Sequence, residues 1–81
     1  MSRVTVRLFA GAAEAFGSGE TELEDVPDLA ALVNELSSDD GEIRRVLGKC
    51  SFFVDGEHQR DLKTALADGS RVDVLPPFAG G

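Results

Sequence analysis

Apolar and polar residues alternate over Val4-Thr5-Val6-Arg7-Leu8-Phe9, the period of two that a half-buried strand requires, with Val4, Val6 and Leu8 turned inward. Gly11 to Gly17 leaves room for one or two helical turns. Thr21 to Val26 carries a weaker strand pattern with Leu23 as its core candidate. After Pro27, the residues Leu29, Leu32, Val33 and Leu36 recur at helical spacing, with Asp28 placed as the N-cap. Ile43, Val46 and Leu47 form a second short helical stripe that Gly48 stops. Cys50 to Val54 reads as a strand, and Asp55-Gly56 is a tight hairpin signal leading to a short returning edge at His58-Gln59-Arg60. Asp61 to Ala67 forms a compact turn anchored by Leu62 and Leu66. Arg71-Val72-Asp73-Val74-Leu75 alternates again as the last strand, and Pro76-Pro77 ends it because neither residue has an N–H to donate. The order strand, strand, helix, strand, short strand, strand predicts an α+β domain with a helix on one face of its sheet.

Two features exceed what such a fold needs. The first is parity. With Val4, Val6 and Leu8 inward, Phe9 falls on the opposite face beside Thr5 and Arg7; with Val72 and Val74 inward, Leu75 falls outward beside Arg71 and Asp73. The same count puts Phe53 outward if Cys50, Phe52 and Val54 are inward. On neighbouring strands, three large apolar side chains on a polar face form a contact surface for another protein.

The second is the ending Leu75-Pro76-Pro77-Phe78-Ala79-Gly80-Gly81. Residues 76–81 are expected to be a flexible tail beyond a folded domain of residues 1–75, reaching roughly 20 Å when extended. Gly80 and Gly81 have no Cβ and a permissive backbone, so with the carboxylate at the tip they suit a narrow channel in a partner. Pro76 and Pro77 stiffen the base and lower the ordering cost of insertion.

Composition narrows the chemistry. The 81 residues allow one domain; 42% are hydrophobic, and the formal net charge is −7. Ten acids face only Arg3 and Arg7 over residues 1–42, while residues 43–81 are nearly balanced. That acidity argues against nucleic acid or an anionic membrane as partner, and suits either a solvated surface or faster encounter with a basic protein. One Cys and one His exclude an internal disulfide and the usual zinc constellations, so no metal site is expected. Cys50 reads as a small buried hydrophobe and His58 as a solvated edge residue. Glu22, Glu24 and Asp25 diverge to opposite strand faces rather than forming a cation site. No glycine-rich phosphate loop opens a helix. The start, Met1 to Arg7, lacks a signal-peptide pattern and no run has transmembrane length, so a cytoplasmic location is expected.

Val6-Arg7-Leu8-Phe9-Ala10, the helix opening at Asp28-Leu29, and Leu66-Ala67-Asp68-Gly69 followed by Arg71 to Gly81 carry a family likeness along the whole chain. The sequence resembles the ubiquitin-like β-grasp sulfur carriers, and within them the small subunits of molybdopterin synthase. The resemblance implies a β-grasp mixed sheet with one main helix on one face and a flexible C-terminal Gly-Gly tail. It implies that the chain binds no cofactor and is no enzyme alone. A partner adenylyltransferase/sulfurtransferase would use ATP and Mg²⁺ to activate the Gly81 carboxylate as an acyl adenylate. Sulfur from a persulfide donor would then replace AMP, leaving a thiocarboxylate that enters the synthase large subunit, in a heterotetramer, and gives sulfur to cyclic pyranopterin monophosphate. An activated acyl group has the leaving group that a carboxylate lacks, and a thiocarboxylate is a competent sulfur nucleophile.

Family partner surfaces surround the first and last strands, where Phe9 and Leu75 stand; His58 or Gln59 occupies a family contact position that is usually apolar. The assignment of Phe53 comes from alternation alone. Carriers for cysteine or another thio-metabolite end in a closely similar way, and a ubiquitin-like modifier would join Gly81 to lysines; these alternatives stay open.

Overall fold

The computed structural model describes residues 2–38 and 40–77. Five strands, β1 (Arg3–Leu8), β2 (Glu20–Glu24), β3 (Ser51–Val54), β4 (Glu57–Gln59) and β5 (Arg71–Leu75), form one mixed sheet in the order β2-β1-β5-β3-β4. The central β1–β5 pair is parallel and every other pair is antiparallel. Three helices, α1 (Ala10–Phe16), α2 (Leu29–Ser37) and α3 (Gly41–Leu47), complete the fold. The β-grasp expectation holds, with α2 the longest helix and two short ones beside it.

Alternation sorts the sheet into two faces. Val4, Val6 and Leu8 of β1, Val72 and Val74 of β5, and Phe52 of β3 join Ala12, Leu29, Leu32, Leu36 and Leu47 from the helices in one core. The opposite face carries no helix-packed cluster among the described residues. Asp55 and Gly56 both take positive φ, 50° and 87°, the geometry of a two-residue hairpin whose twist matches its strands. β4 therefore starts directly after Gly56, at Glu57–Gln59, one residue earlier than the expected His58–Arg60. At β2, the left-handed Asp25 (φ 59°) ends the strand before Val26, which is buried beyond it.

The entry to α2 shows how the connecting segments hold the sheet and helix together. All four orphan N–H groups of its first turn are satisfied. Leu29 donates to the Thr64 carbonyl at 3.2 Å and Ala30 to that of Leu62 at 2.9 Å. Ala31 donates to the Asp28 side chain at 2.9 Å, and Leu32 to the Asp28 carbonyl at 3.1 Å. This corrects the expected role of Leu62. Its backbone serves the helix while its side chain is 45% exposed, and Leu66 alone is the buried anchor of that turn. Asp28→Ala is expected to lower stability by about 1 kcal/mol, read as a shift in the urea midpoint with an unchanged slope.

Candidate functional site

The helix-free face is built by cross-strand register. Arg7 on β1 pairs with Asp73 on β5, Asp73 pairs with Phe53 on β3, and Phe53 pairs with His58 on β4. The next row toward the C-terminal end of β5 holds Leu75 opposite Ser51. Phe9 remains extended (φ −121°, ψ 148°), and its N–H donates to the Val74 carbonyl at 3.1 Å. It thus prolongs the alternation of β1 by one residue before Ala10 turns the chain with φ 49°. The structure brings Phe9, Leu75 and Phe53 to one face, as parity predicts. All three are half-buried, and none belongs to the core cluster or to the hydrophobic residues packed against it.

Charged and aromatic groups interleave there. The Arg7 guanidinium carbon lies 5.4 Å from the Phe9 ring centroid, within cation–π range and worth about 0.5–1 kcal/mol at an exposed site. Phe53 stacks on His58 with centroids 4.9 Å apart and planes inclined by 22°. His58 is the exposed edge residue that the sequence predicts, and the ring of Phe53 stacks on it. Sequence alternation places Arg7, Asp73 and Phe53 outward, but only the register reveals that they form a single row.

Leu75 leads into the tail. Pro76 is buried and Pro77 exposed, and together they border a depression formed with Gly11, Val46 and Lys49. The base of the tail is thereby seated at the end of the sheet between α1 and α3. The remaining tail candidates, Phe78, Ala79, Gly80 and Gly81, lie outside the described residues.

The other candidates read as structural. The Cys50 thiol donates to the Val46 carbonyl at 3.1 Å, and burial pushes its pKa above the usual thiol value, so the protonated form dominates at neutral pH. Among the described residues, no group of three or more His, Cys, Asp or Glu is placed to hold a metal ion. Nor is any helix there long and apolar enough to cross a membrane.

The five-stranded mixed sheet with its longest helix packed on one face is a ubiquitin-like β-grasp fold, and its helix-free face carries Phe9, Phe53 and Leu75 near the root of the C-terminal segment. The family model described as the ThiS family matches residues 6–81, and the chain belongs to that family. Its fold is similar to the small archaeal modifier protein 1 of Methanosarcina acetivorans, at TM-score 0.82 and 24% identity over 100% of this chain and 98% of that one. A Pyrococcus furiosus protein assigned as molybdopterin converting factor subunit 1 superposes at TM-score 0.82 with 22% identity, covering 96% of this chain and all (100%) of that one. The complex of subunits 1 and 2 of the molybdopterin-converting factor from Helicobacter pylori contains a chain similar at TM-score 0.71 and 25% identity, with 98% and 99% coverage. A search of curated protein sequences gives no match.

Separation of this face from the core makes a stability prediction. Phe9→Asp and Leu75→Asp are expected to leave the domain folded and within about 1 kcal/mol of wild type. Val74→Asp, which buries a charge at a fully enclosed position, is expected to unfold it. Thermal melting of the three variants checks this; equal losses would place Phe9 and Leu75 in the core.

Proposed function

We propose that this chain is the sulfur-donating small subunit of a molybdopterin synthase. The observation that carries the reading is the position of Phe9, Leu75 and Phe53, which gather on the helix-free face at the end of β5 where the tail begins. A partner docked on that face lies next to the tail's exit, so docking and delivery of the C-terminus belong to one event. The Helicobacter pylori complex, in which a similar chain assembles with a second subunit, supports a large-subunit partner.

In this reading the Gly81 carboxylate attacks ATP, with Mg²⁺, in the activating enzyme's site; pyrophosphate leaves and an acyl adenylate forms. The outer sulfur of a persulfide donor displaces AMP, which departs with the carboxylate oxygen it had activated, and an acyl disulfide forms; a thiol then reduces its S–S bond, keeping the donor's inner sulfur in a disulfide and releasing the thiocarboxylate. The resulting thiocarboxylate enters the large subunit, where its sulfur forms a C–S bond to the side chain of cyclic pyranopterin monophosphate as a C–O bond there breaks and the oxygen departs; water then cleaves the thioester so formed, leaving the sulfur on the pterin and returning the carboxylate for another cycle. Gly80 and Gly81 suit this path because a Cβ would widen the tail where it must pass through a narrow site. The seated Pro76 fixes the exit point, so fewer conformations are lost on insertion.

Intact mass of the chain from cells carrying the activating enzyme, under non-reducing and amine-free conditions, tests the chemistry. The expected result is a shift equal to sulfur replacing one oxygen, localised to the peptide ending in Gly81 and absent when Gly81 is deleted. Incubation with the large subunit and cyclic pyranopterin monophosphate is then expected to yield molybdopterin. Thiocarboxylate without molybdopterin would redirect the sulfur to another pathway, such as cysteine synthesis. Conjugates on lysine instead would mark a protein modifier.

A further inference from the structure

On the helix side of the sheet, away from the docking face, a cleft of about 600 Å³ opens between α2, α3, the β3–β4 hairpin and the turn that follows it. Leu47 and Phe52, both members of the buried core, form its floor beside Val33. Leu62 stands at its mouth. The Leu62 carbonyl is committed to the Ala30 N–H at 2.9 Å, which holds the side chain out of the core and against the cleft.

The polar part of the lining has one sign of charge. Arg44 and Arg60 are both exposed and both line the cleft, and Gln59 joins them on the side of β4 that faces with Phe52, its cross-strand partner. No carboxylate is among the described residues of the lining, although the chain has 15 acids against 8 lysines and arginines. The ion pairs among the described residues, Arg3 with Glu24 and Arg45 with Glu42, use neither arginine. Arg44 is oriented by a neutral group instead, donating to the Asn34 carboxamide oxygen at 2.7 Å. That bond fixes a guanidinium in place without cancelling its charge. Cys50 takes no part, since its thiol donates to the Val46 carbonyl.

These surroundings select a ligand. The volume is that of a small-molecule site, and an apolar floor with a few charged groups is how such sites are built. A guanidinium fork matches the two oxygens of a carboxylate. A dianionic phosphate would cost more to desolvate beside Leu47 and Phe52. A polyanion is repelled by the net charge of −7, as is a second copy of the chain. An inorganic anion would leave the floor uncovered, and a neutral apolar molecule would forgo both guanidiniums.

We propose that this cleft binds a compact organic acid, with its apolar body against Leu47, Phe52 and Leu62 and its carboxylate paired with the Arg44 and Arg60 guanidiniums. The site is separate from the docking face and does not depend on the function assigned above.

The test titrates the labelled full chain with 4-phenylbutyrate and follows its amide chemical shifts. Saturable shifts are expected at Val33, Leu47, Phe52 and Leu62, half-complete near about 1 mM. Acetate, which has the charge alone, and 4-phenylbutan-1-ol, which has the apolar body alone, are each expected to bind about tenfold more weakly. Replacing both arginines, Arg44→Gln with Arg60→Gln, is expected to weaken the acid about tenfold and leave the alcohol unchanged, with a melting temperature close to wild type because both side chains are exposed. Leu62→Ser, also at an exposed position, gives an independent loss of affinity. Absence of saturable shifts overturns the inference. So does an equal response to the alcohol, an affinity indifferent to the arginines, or a shift map centred on Phe9, Phe53 and Leu75.

Discussion

The parallel pairing of β1 with β5 is the constraint on which the rest of the structure depends. It joins residues nearly seventy positions apart along the Val6–Val72 and Leu8–Val74 register, and its alternation decides both faces at once. Val4, Val6, Val72 and Val74, all fully enclosed, face the helices. Arg7, Asp73 and, by the same count, Phe9 and Leu75 face away from them. A slip of one residue would exchange these sets and destroy core and open face together, so the register of the stable interior also specifies the exposed surface. Parallel strands need a long crossover, which here includes α2, α3 and the β3–β4 hairpin.

The same pairing links docking to chemistry. β5 ends at Leu75, its last position on the open face, and Pro76 is seated against the α1–α3 end of the domain. Binding energy gathered on the face can thereby be spent on holding the start of the tail in place. The division of labour follows from this. In the proposed reading the domain supplies recognition and a fixed exit, the chemistry belongs to Gly81, and the activating and acceptor sites belong to partners.

Much of this arrangement was legible in the sequence because it rests on local rules. Period-two alternation located β1, β3 and β5, Asp55-Gly56 marked the hairpin, and Asp28 marked the start of α2. Parity alone puts Phe9, Leu75 and Phe53 outside the core, where the structure has them. What escaped was set by contacts distant in the chain. Strand order and the parallel centre have no local signature. Leu62 reads as an anchor because it is apolar, but the backbone of its turn is recruited to cap α2, which leaves the side chain outside. Asp73 reads as an ordinary polar residue on a polar face; its place between Arg7 and Phe53 arises only from the register of two other strands. His58 likewise gains its aromatic partner from cross-strand pairing.

The central claim is that recognition occurs on the β1–β5–β3 face and not on the helix side. Amide chemical-shift mapping of the labelled chain, titrated with the large subunit, tests it most directly. The account predicts perturbations concentrated at Arg7, Phe9, Phe53, Asp73 and Leu75 and continuing into the tail, with α2 and the outer side of α3 unaffected. Perturbations centred on α2 and α3, with the open face silent, would contradict it.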